Sequence, residues 1–313
     1  MTRAFVFPGQ GSQEVGMGQE LSTAFPIARE TLEEVDDALE QKLSRLIAEG
    51  PVEDLLLTEN AQPALMAVSI AALRVLEKEG GIDVSECCSF LAGHSLGEYS
   101  SLAAGKALGL ADTARLLRVR GRAMQRAVPI GKGGMAALLG ADLDQAKEIA
   151  NEAAQGAVCA PANDNGPGQV VLSGAMDAVE RAIEIANERG IRRALKLPVS
   201  APFHCELMAP AAEVMELELA NVELVRPVIR VVANVTARPV DDPLEIRRLL
   251  VKQVTGMVRW RESVLAMREA GVDTLIEVGA GKVLTGLARR IDRDLTTLSV
   301  GTPGEVEAFL KTL

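Results

Sequence analysis

Gly93-His94-Ser95-Leu96-Gly97 sets a serine between two glycines, the G-x-S-x-G pattern. Such a serine becomes a nucleophile when the chain turns sharply from a strand into a helix, with the glycines leaving room around a strained backbone. The flanks predict that context: 88–92 reads as an apolar strand and 96–104 as a helix. In that geometry the N–H of Leu96 points at a developing oxyanion, and the helix N-terminus adds a favourable dipole. A serine needs a base to take its proton. The chain has two histidines, His94 and His204. Adjacent side chains at an elbow diverge, which disfavours His94. His204, in Leu197-Pro198-Val199-Ser200-Ala201-Pro202-Phe203-His204-Cys205, becomes the candidate base by elimination, against the alternative of a structural histidine.

Arg120 is the third residue that stands out. A helix is predicted over 111–128. At about 100° per residue, Arg115, Arg118, Arg122 and Arg126 fall on one arc roughly 80° wide, the expected solvated face. Arg120 lies about 140° from Arg115, among Leu116, Ala123, Met124 and Ala127. A guanidinium on an apolar face needs an anionic partner. That partner is either an internal carboxylate or a substrate carboxylate held bidentately. Gln10 sits in Pro8-Gly9-Gln10-Gly11-Ser12-Gln13, a loop able to donate a second oxyanion N–H or simply to turn the chain. Gln253 by itself reads as a surface residue. Gly279-Ala280-Gly281-Lys282-Val283 fails as a phosphate loop, because Ile276 and Val283 stand where glycine and Ser/Thr are required; it reads as a helix-start turn.

The elements that must position these residues alternate. Residues 4–7 read as a buried strand, with helical patterns over 17–48 and 62–79 and later strands near 228–232, 274–277 and 297–300. This order predicts an α/β fold, hydrolase-like, with a mainly parallel sheet. The middle differs. Strand 134–139, helix 142–153, strands 158–161 and 169–172, helix 175–188 and strand 193–199 give βαββαβ, the ferredoxin-like pattern. Asn163-Asp164-Asn165-Gly166-Pro167-Gly168 reads as the turn between the two middle strands. An inserted small subdomain over 129–198 is expected, with 1–128 and 199–313 forming the large domain.

Composition sets outer limits. Hydrophobic residues are 48% of 313, which excludes a disordered chain, and aromatics are 3%, so Ala, Val, Leu and Ile must build the core. No apolar run approaches the roughly 18 residues that span a bilayer, and the N-terminus has no signal-peptide pattern. A net charge of −10 excludes a global basic field for nucleic acid. Cys87, Cys88, Cys159 and Cys205 have no zinc-ligand spacing with histidine, so no metal is expected, and a reducing, cytoplasmic setting fits.

Several segments together resemble the malonyl-CoA:acyl carrier protein transacylase family. They are Phe7-Pro8-Gly9-Gln10-Gly11-Ser12-Gln13, Gly93-His94-Ser95-Leu96-Gly97-Glu98-Tyr99, Arg120-Gly121-Arg122-Ala123-Met124 and Pro167-Gly168-Gln169-Val170-Val171-Leu172-Ser173-Gly174. Pro202-Phe203-His204, Gln253-Val254 with Val258-Arg259-Trp260, and Glu277-Val278-Gly279-Ala280-Gly281-Lys282-Val283-Leu284 complete the set, in the family's order. The resemblance implies Ser95 as nucleophile, His204 as general base and acid, Arg120 on the malonyl carboxylate, and Gln10 and Leu96 as oxyanion donors. It implies Gln253 as the residue that orients His204, and Phe203 as a mark of malonyl-selective members. It implies malonyl-CoA and acyl carrier protein as partners, with no cofactor, no nucleic acid and no membrane, and a monomer is expected. Asp164-Asn165-Gly166 departs from the family, which is usually less acidic there. A stand-alone acyltransferase of polyketide assembly shares this chemistry. A serine thioesterase shares the elbow but has an acidic triad member and no buried arginine. The acidic carrier is expected on a local basic patch, with Arg192, Arg193 and Lys196, and Arg289 and Arg290, as candidates.

Overall fold

The computed structural model describes residues 2–199 and 201–313, so Ser200 of the histidine segment lies outside the described residues. Among the described residues, ten strands form two sheets. In chain order they are β1 (Arg3–Phe7), β2 (Phe90–Gly93), β3 (Gly133–Leu139), β4 (Cys159–Gly166), β5 (Gln169–Ala175), β6 (Arg193–Lys196), β7 (Val231–Ala233), β8 (Arg238–Val240), β9 (Thr274–Val278) and β10 (Thr296–Val300).

The larger sheet has the order β10-β9-β1-β2-β7-β8. All its pairs are parallel except β8 on β7. Its central strands are near-continuous apolar runs, because helices cover both faces. Phe7 pairs with Gly93, so the loop after β1 and the elbow after β2 leave the sheet side by side. That carboxyl edge is where open α/β sheets bind ligands. Two helices, Thr58–Gly80 and Leu110–Ala127, pack against each other above this edge. Their contact needs Gly121, where an added Cβ would lie 2.6 Å from Cα of Glu59 and the carbonyl oxygen of Thr58.

The smaller sheet is antiparallel, in the order β4-β5-β3-β6. Helices Leu143–Ala154 and Met176–Glu188 pack on it through a separate apolar core of Leu138, Ile149, Val170, Leu172 and small alanines. This is the ferredoxin-like βαββαβ arrangement.

Three expectations are corrected. The helical stretch 17–48 is broken into Gln19–Ala24, Pro26–Leu39 and Leu43–Glu49. Pro26 has no N–H to continue the first helix, and Glu40 leaves the second in a left-handed conformation. The strand expected over 193–199 ends at Lys196. The turn expected over 163–168 shrinks, since β4 runs on to Gly166. Asp164 donates its backbone N–H to Val258 O at 2.9 Å and Val258 donates to Ala162 O at 2.8 Å. Arg261 binds the Asp164 carboxylate at 2.8 Å. Pairing with a segment far along the chain thus overrides the local turn preference.

Candidate active site

Ser95 follows β2 and precedes helix Gly97–Ala104, with φ +54°, a left-handed conformation that costs energy for a residue with a Cβ. The flanking glycines are required by contact. A Cβ on Gly93 would run into Gly97 O, and one on Gly97 would run into Phe7 O. Asn234, just past the end of β7, ties the elbow down. Its Oδ1 accepts from Ser95 N at 2.8 Å and its Nδ2 donates to Gly93 O at 2.7 Å.

His204 comes from the segment after the small sheet and also has a left-handed backbone, φ +58°. Its Nε2 lies 2.7 Å from Ser95 Oγ, and its Nδ1 lies 2.8 Å from the main-chain oxygen of Gln253. A carbonyl only accepts, so Nδ1 carries the proton and Nε2 is free to take one from the serine. Burial, and next the nearby Arg120 cation, hold the His204 pKa down to about 3, so the imidazole is neutral. His94 also lines the cleft but makes no hydrogen bond to the serine hydroxyl: its Nε2 lies 2.8 Å from Asn165 Oδ1 and its ring packs near Trp260.

Arg120 is 1% exposed. Its Nη1 donates to Gln62 Oε1 at 2.7 Å, and its Nη2 donates to Gln253 Oε1 at 2.8 Å and Ser95 Oγ at 3.2 Å. All three acceptors are uncharged, and no carboxylate among the described residues pairs with it. Its Nε is buried with no partner among the described residues, and its Cζ lies 5.7 Å from the Tyr99 ring centroid. The internal ion pair left open by the sequence is therefore absent among the described residues. The expected solvated stripe is corrected at Arg118. That residue is buried under the start of helix Thr58–Gly80 and donates to Glu59 O at 2.8 Å.

Ser95, Leu96, Gln10, Arg120, Phe203 and His204 all line one cleft of about 510 Å³, walled on one side by Met135 and Val171 of the small sheet. The loop bearing Gln10 lies against the elbow, since a Cβ on Gly9 would be 2.7 Å from His94 O. Leu96 N–H lies at the start of helix Gly97–Ala104, and neither it nor Gln10 N–H has an acceptor among the described residues. Gln253 is fully buried rather than on the surface, and the contact it gives His204 is from its main chain. Its side chain does something else. Nε2 donates to Ser95 O at 2.9 Å and Glu98 Oε2 at 2.8 Å, while Oε1 faces Arg120.

Sequence reading missed Gln62, Glu98 and Asn234. For Asn234 a signal existed: a polar residue just beyond an apolar strand of a parallel sheet stands at the ligand edge. Gln62 shows only as a polar residue inside an apolar helical run. At Gly279–Lys282 the turn is as read, and Glu277 fastens the following helix by accepting from Leu284 N at 3.0 Å and Thr285 N at 2.7 Å.

A strained serine at a strand end, a neutral imidazole on its hydroxyl and an unpaired cation in the same cleft define a covalent acyl-transfer site. Residues 4–297 match the family model of the acyl transferase domain. The chain is 45% identical over 311 residues to the malonyl CoA-acyl carrier protein transacylase of Bacillus subtilis (strain 168), covering 99% of this chain and 96% of that one. It superposes on the acyl-carrier-protein S-malonyltransferase of Bartonella henselae with TM-score 0.98, at 54% identity over 100% of this chain and 99% of that one. A malonyl-transacylase solved with its type II polyketide-synthase acyl-carrier protein gives TM-score 0.97 at 42% identity, with all of both chains covered. The chain belongs to the acyl transferase family, among the malonyl CoA-acyl carrier protein transacylases.

Proposed function

We propose that this enzyme moves a malonyl group from malonyl-CoA to the phosphopantetheine thiol of an acyl carrier protein, through a malonyl-Ser95 intermediate. The observation that carries the reading is the meeting of two groups at one oxygen: Ser95 Oγ has His204 Nε2 at 2.7 Å and Arg120 Nη2 at 3.2 Å. His204 takes the hydroxyl proton as Oγ attacks the thioester carbon. The N–H groups of Leu96 and Gln10 receive the oxyanion. Collapse expels CoA, whose sulfur takes the proton back from His204. The carrier thiol then attacks the same carbonyl and the steps run in reverse order. The substrate carboxylate meets Arg120 and offsets its charge, which removes the smaller, electrostatic part of what keeps His204 weakly basic and leaves the larger part, burial, in place. Phe203 lines the acyl pocket, and the small subdomain, taken as 129–198, forms its far wall. The test is mass spectrometry of digested enzyme after mixing with malonyl-CoA. Malonate should sit on the Ser95 peptide and be discharged by carrier protein; malonate elsewhere, or none, would sink the reading.

Fatty-acid synthesis is the expected destination of the product, in the cytoplasm. A second reading, supply of polyketide assembly, is favoured by the relative solved with a polyketide carrier. Comparing the two carrier types as acceptors separates them. For carrier docking, the sheet register supports a patch at one end of the small sheet. Arg193 and Gln169 flank Leu139 from either side, and Arg290 donates to Gln169 Oε1 at 3.1 Å. This brings Arg193 and Arg290 to the same end, with Arg192 beside them against Gly140, whereas Arg289 turns to β10 and donates to Thr297 Oγ1 at 2.7 Å. Lys196 is engaged with Glu180. Reversing Arg193 and Arg290 to glutamate should raise the carrier KM several-fold at low salt and flatten its salt dependence. An unchanged KM would refute these residues.

A further inference from the structure

Glu98 is a buried acid that the acyl-transfer steps leave unused. It is 2% exposed and pairs with no cation among the described residues. Burial pushes its pKa up to about 7, a cost that a leucine or glutamine at this position would avoid. Its hydrogen bonds supply the reason for an acceptor oxygen here. Oε2 accepts from Gln253 Nε2 at 2.8 Å and from Asn234 N at 3.1 Å. Those two donors are the residues that grip the nucleophile's own main chain. Asn234 Oδ1 accepts from Ser95 N at 2.8 Å, and Gln253 Nε2 donates to Ser95 O at 2.9 Å. The serine is therefore held at both its N–H and its C=O by groups that converge on one carboxyl oxygen.

We propose that Glu98 is a positioning residue for the nucleophile, locking the strained Ser95 elbow through Asn234 and Gln253. A left-handed serine persists only where its surroundings over-determine it. Glu98 also sets which way the Gln253 amide faces. Glu98 Oε2 and Ser95 O are both acceptors, so Nε2 must point to them, and Oε1 is left to face Arg120. One carboxyl oxygen thus fixes the hydroxyl and one of the two glutamine acceptors on Arg120. The other, Gln62, is independent of Glu98.

The inference rests on Ser95 as the nucleophile, which wild-type labelling tests on its own. The experiment measures the single-turnover rate of malonyl-enzyme formation, the KM for malonyl-CoA and the melting temperature of Glu98→Ala, Glu98→Gln and Glu98→Asp. Small misplacements of a reacting group cost about 100-fold, so Glu98→Ala should slow acylation by about that factor. KM should stay within about threefold, because Gln62 still holds Arg120. A merely structural acid would lower the melting temperature without separating rate from KM. Glu98→Gln keeps an acceptor oxygen in place and should recover at least tenfold of the loss. Glu98→Asp keeps the carboxyl group but stops one methylene short of both donors, and should lose nearly as much as alanine. An alanine variant within threefold of wild type in acylation rate would overturn the proposal. So would a KM that rises in step with the loss of rate. If the alanine variant does not fold, the other two decide: glutamine above aspartate supports the positioning role, and aspartate equal to or above glutamine overturns it.

Discussion

Arg120 keeps its charge available because its acceptors, Gln62 Oε1, Gln253 Oε1 and Ser95 Oγ, are neutral. A carboxylate entering the cleft is then the one full counter-charge it meets. Truncating one member of a buried charge pair costs about 2–5 kcal/mol, so Arg120→Ala should lower kcat/KM for malonyl-CoA by roughly 30- to 5,000-fold. Arg120→Lys should recover little, because a point charge lacks the planar fork. Acetyl transfer should fall much less or rise, and equal losses for the two substrates would mean a structural arginine. The two histidines separate in the same way. His204→Ala should cost about as much as losing Ser95, since the pair acts as a unit. His94→Ala should cost less, because His94 bonds Asn165 in the cleft wall and not the serine hydroxyl; the reverse order would mean that the base is misassigned. The pattern around Ser95 and the helical position of Arg120 were legible in the sequence. The contribution of Gln253 was legible only through the family resemblance, because a main-chain carbonyl leaves no trace in residue type. Arg118 was misread for a related reason: a helical wheel shows which residues share an arc, and the cover over that arc comes from another helix.

At the scale of elements, the two sheets are joined where β4 meets the segment around Val258. The join combines two backbone hydrogen bonds with the Arg261–Asp164 ion pair, whose acid is 1% exposed and whose base is 31% exposed. The flanking Asn163 and Asn165 line the cleft, and Asn165 holds His94, so this seam also sets one wall of the site. Asp164→Ala removes the buried half of the pair while Arg261 can turn to water, so the loss should be modest, about 1–3 kcal/mol. At roughly 2–4 °C per kcal/mol for a large domain, the melting temperature should fall by several degrees. KM for malonyl-CoA should rise as the wall loosens. An unchanged melting temperature would mean that the Val258 ladder alone holds the seam. Alternating strands and helices, then βαββαβ, were readable because each element buries a periodic apolar face. The seam was not, because Asn163–Gly168 has the composition of a turn and its partner lies nearly a hundred residues away.

Across the whole molecule, two buried groups of the site make the fold respond to pH in opposite directions. Glu98 has its pKa raised from 4.5 to about 7 by burial. In the folded state it holds a proton that the unfolded chain has already released, so stability falls as pH rises from about 4.5 to about 7. A shift of that size is worth roughly 3 kcal/mol. His204 has its pKa lowered from 6.5 to about 3. Its folded form refuses a proton that the unfolded chain accepts, so its contribution is full above 6.5 and is lost as pH falls toward 3. Between pH 4.5 and 6.5 the two slopes have opposite signs and about equal size, so this pair contributes a nearly flat profile in the wild type. Glu98→Gln removes the acid's term and keeps its shape. The stability of this variant relative to wild type should therefore climb by roughly 3 kcal/mol from pH 4.5 to pH 8, with most of the change below pH 7. Urea unfolding of both proteins across that range measures it. A difference that stays constant with pH would mean that Glu98 titrates as an ordinary carboxyl. A difference that shrinks as pH rises would mean that the folded state favours the ionised acid, held by Arg120 through the amide of Gln253.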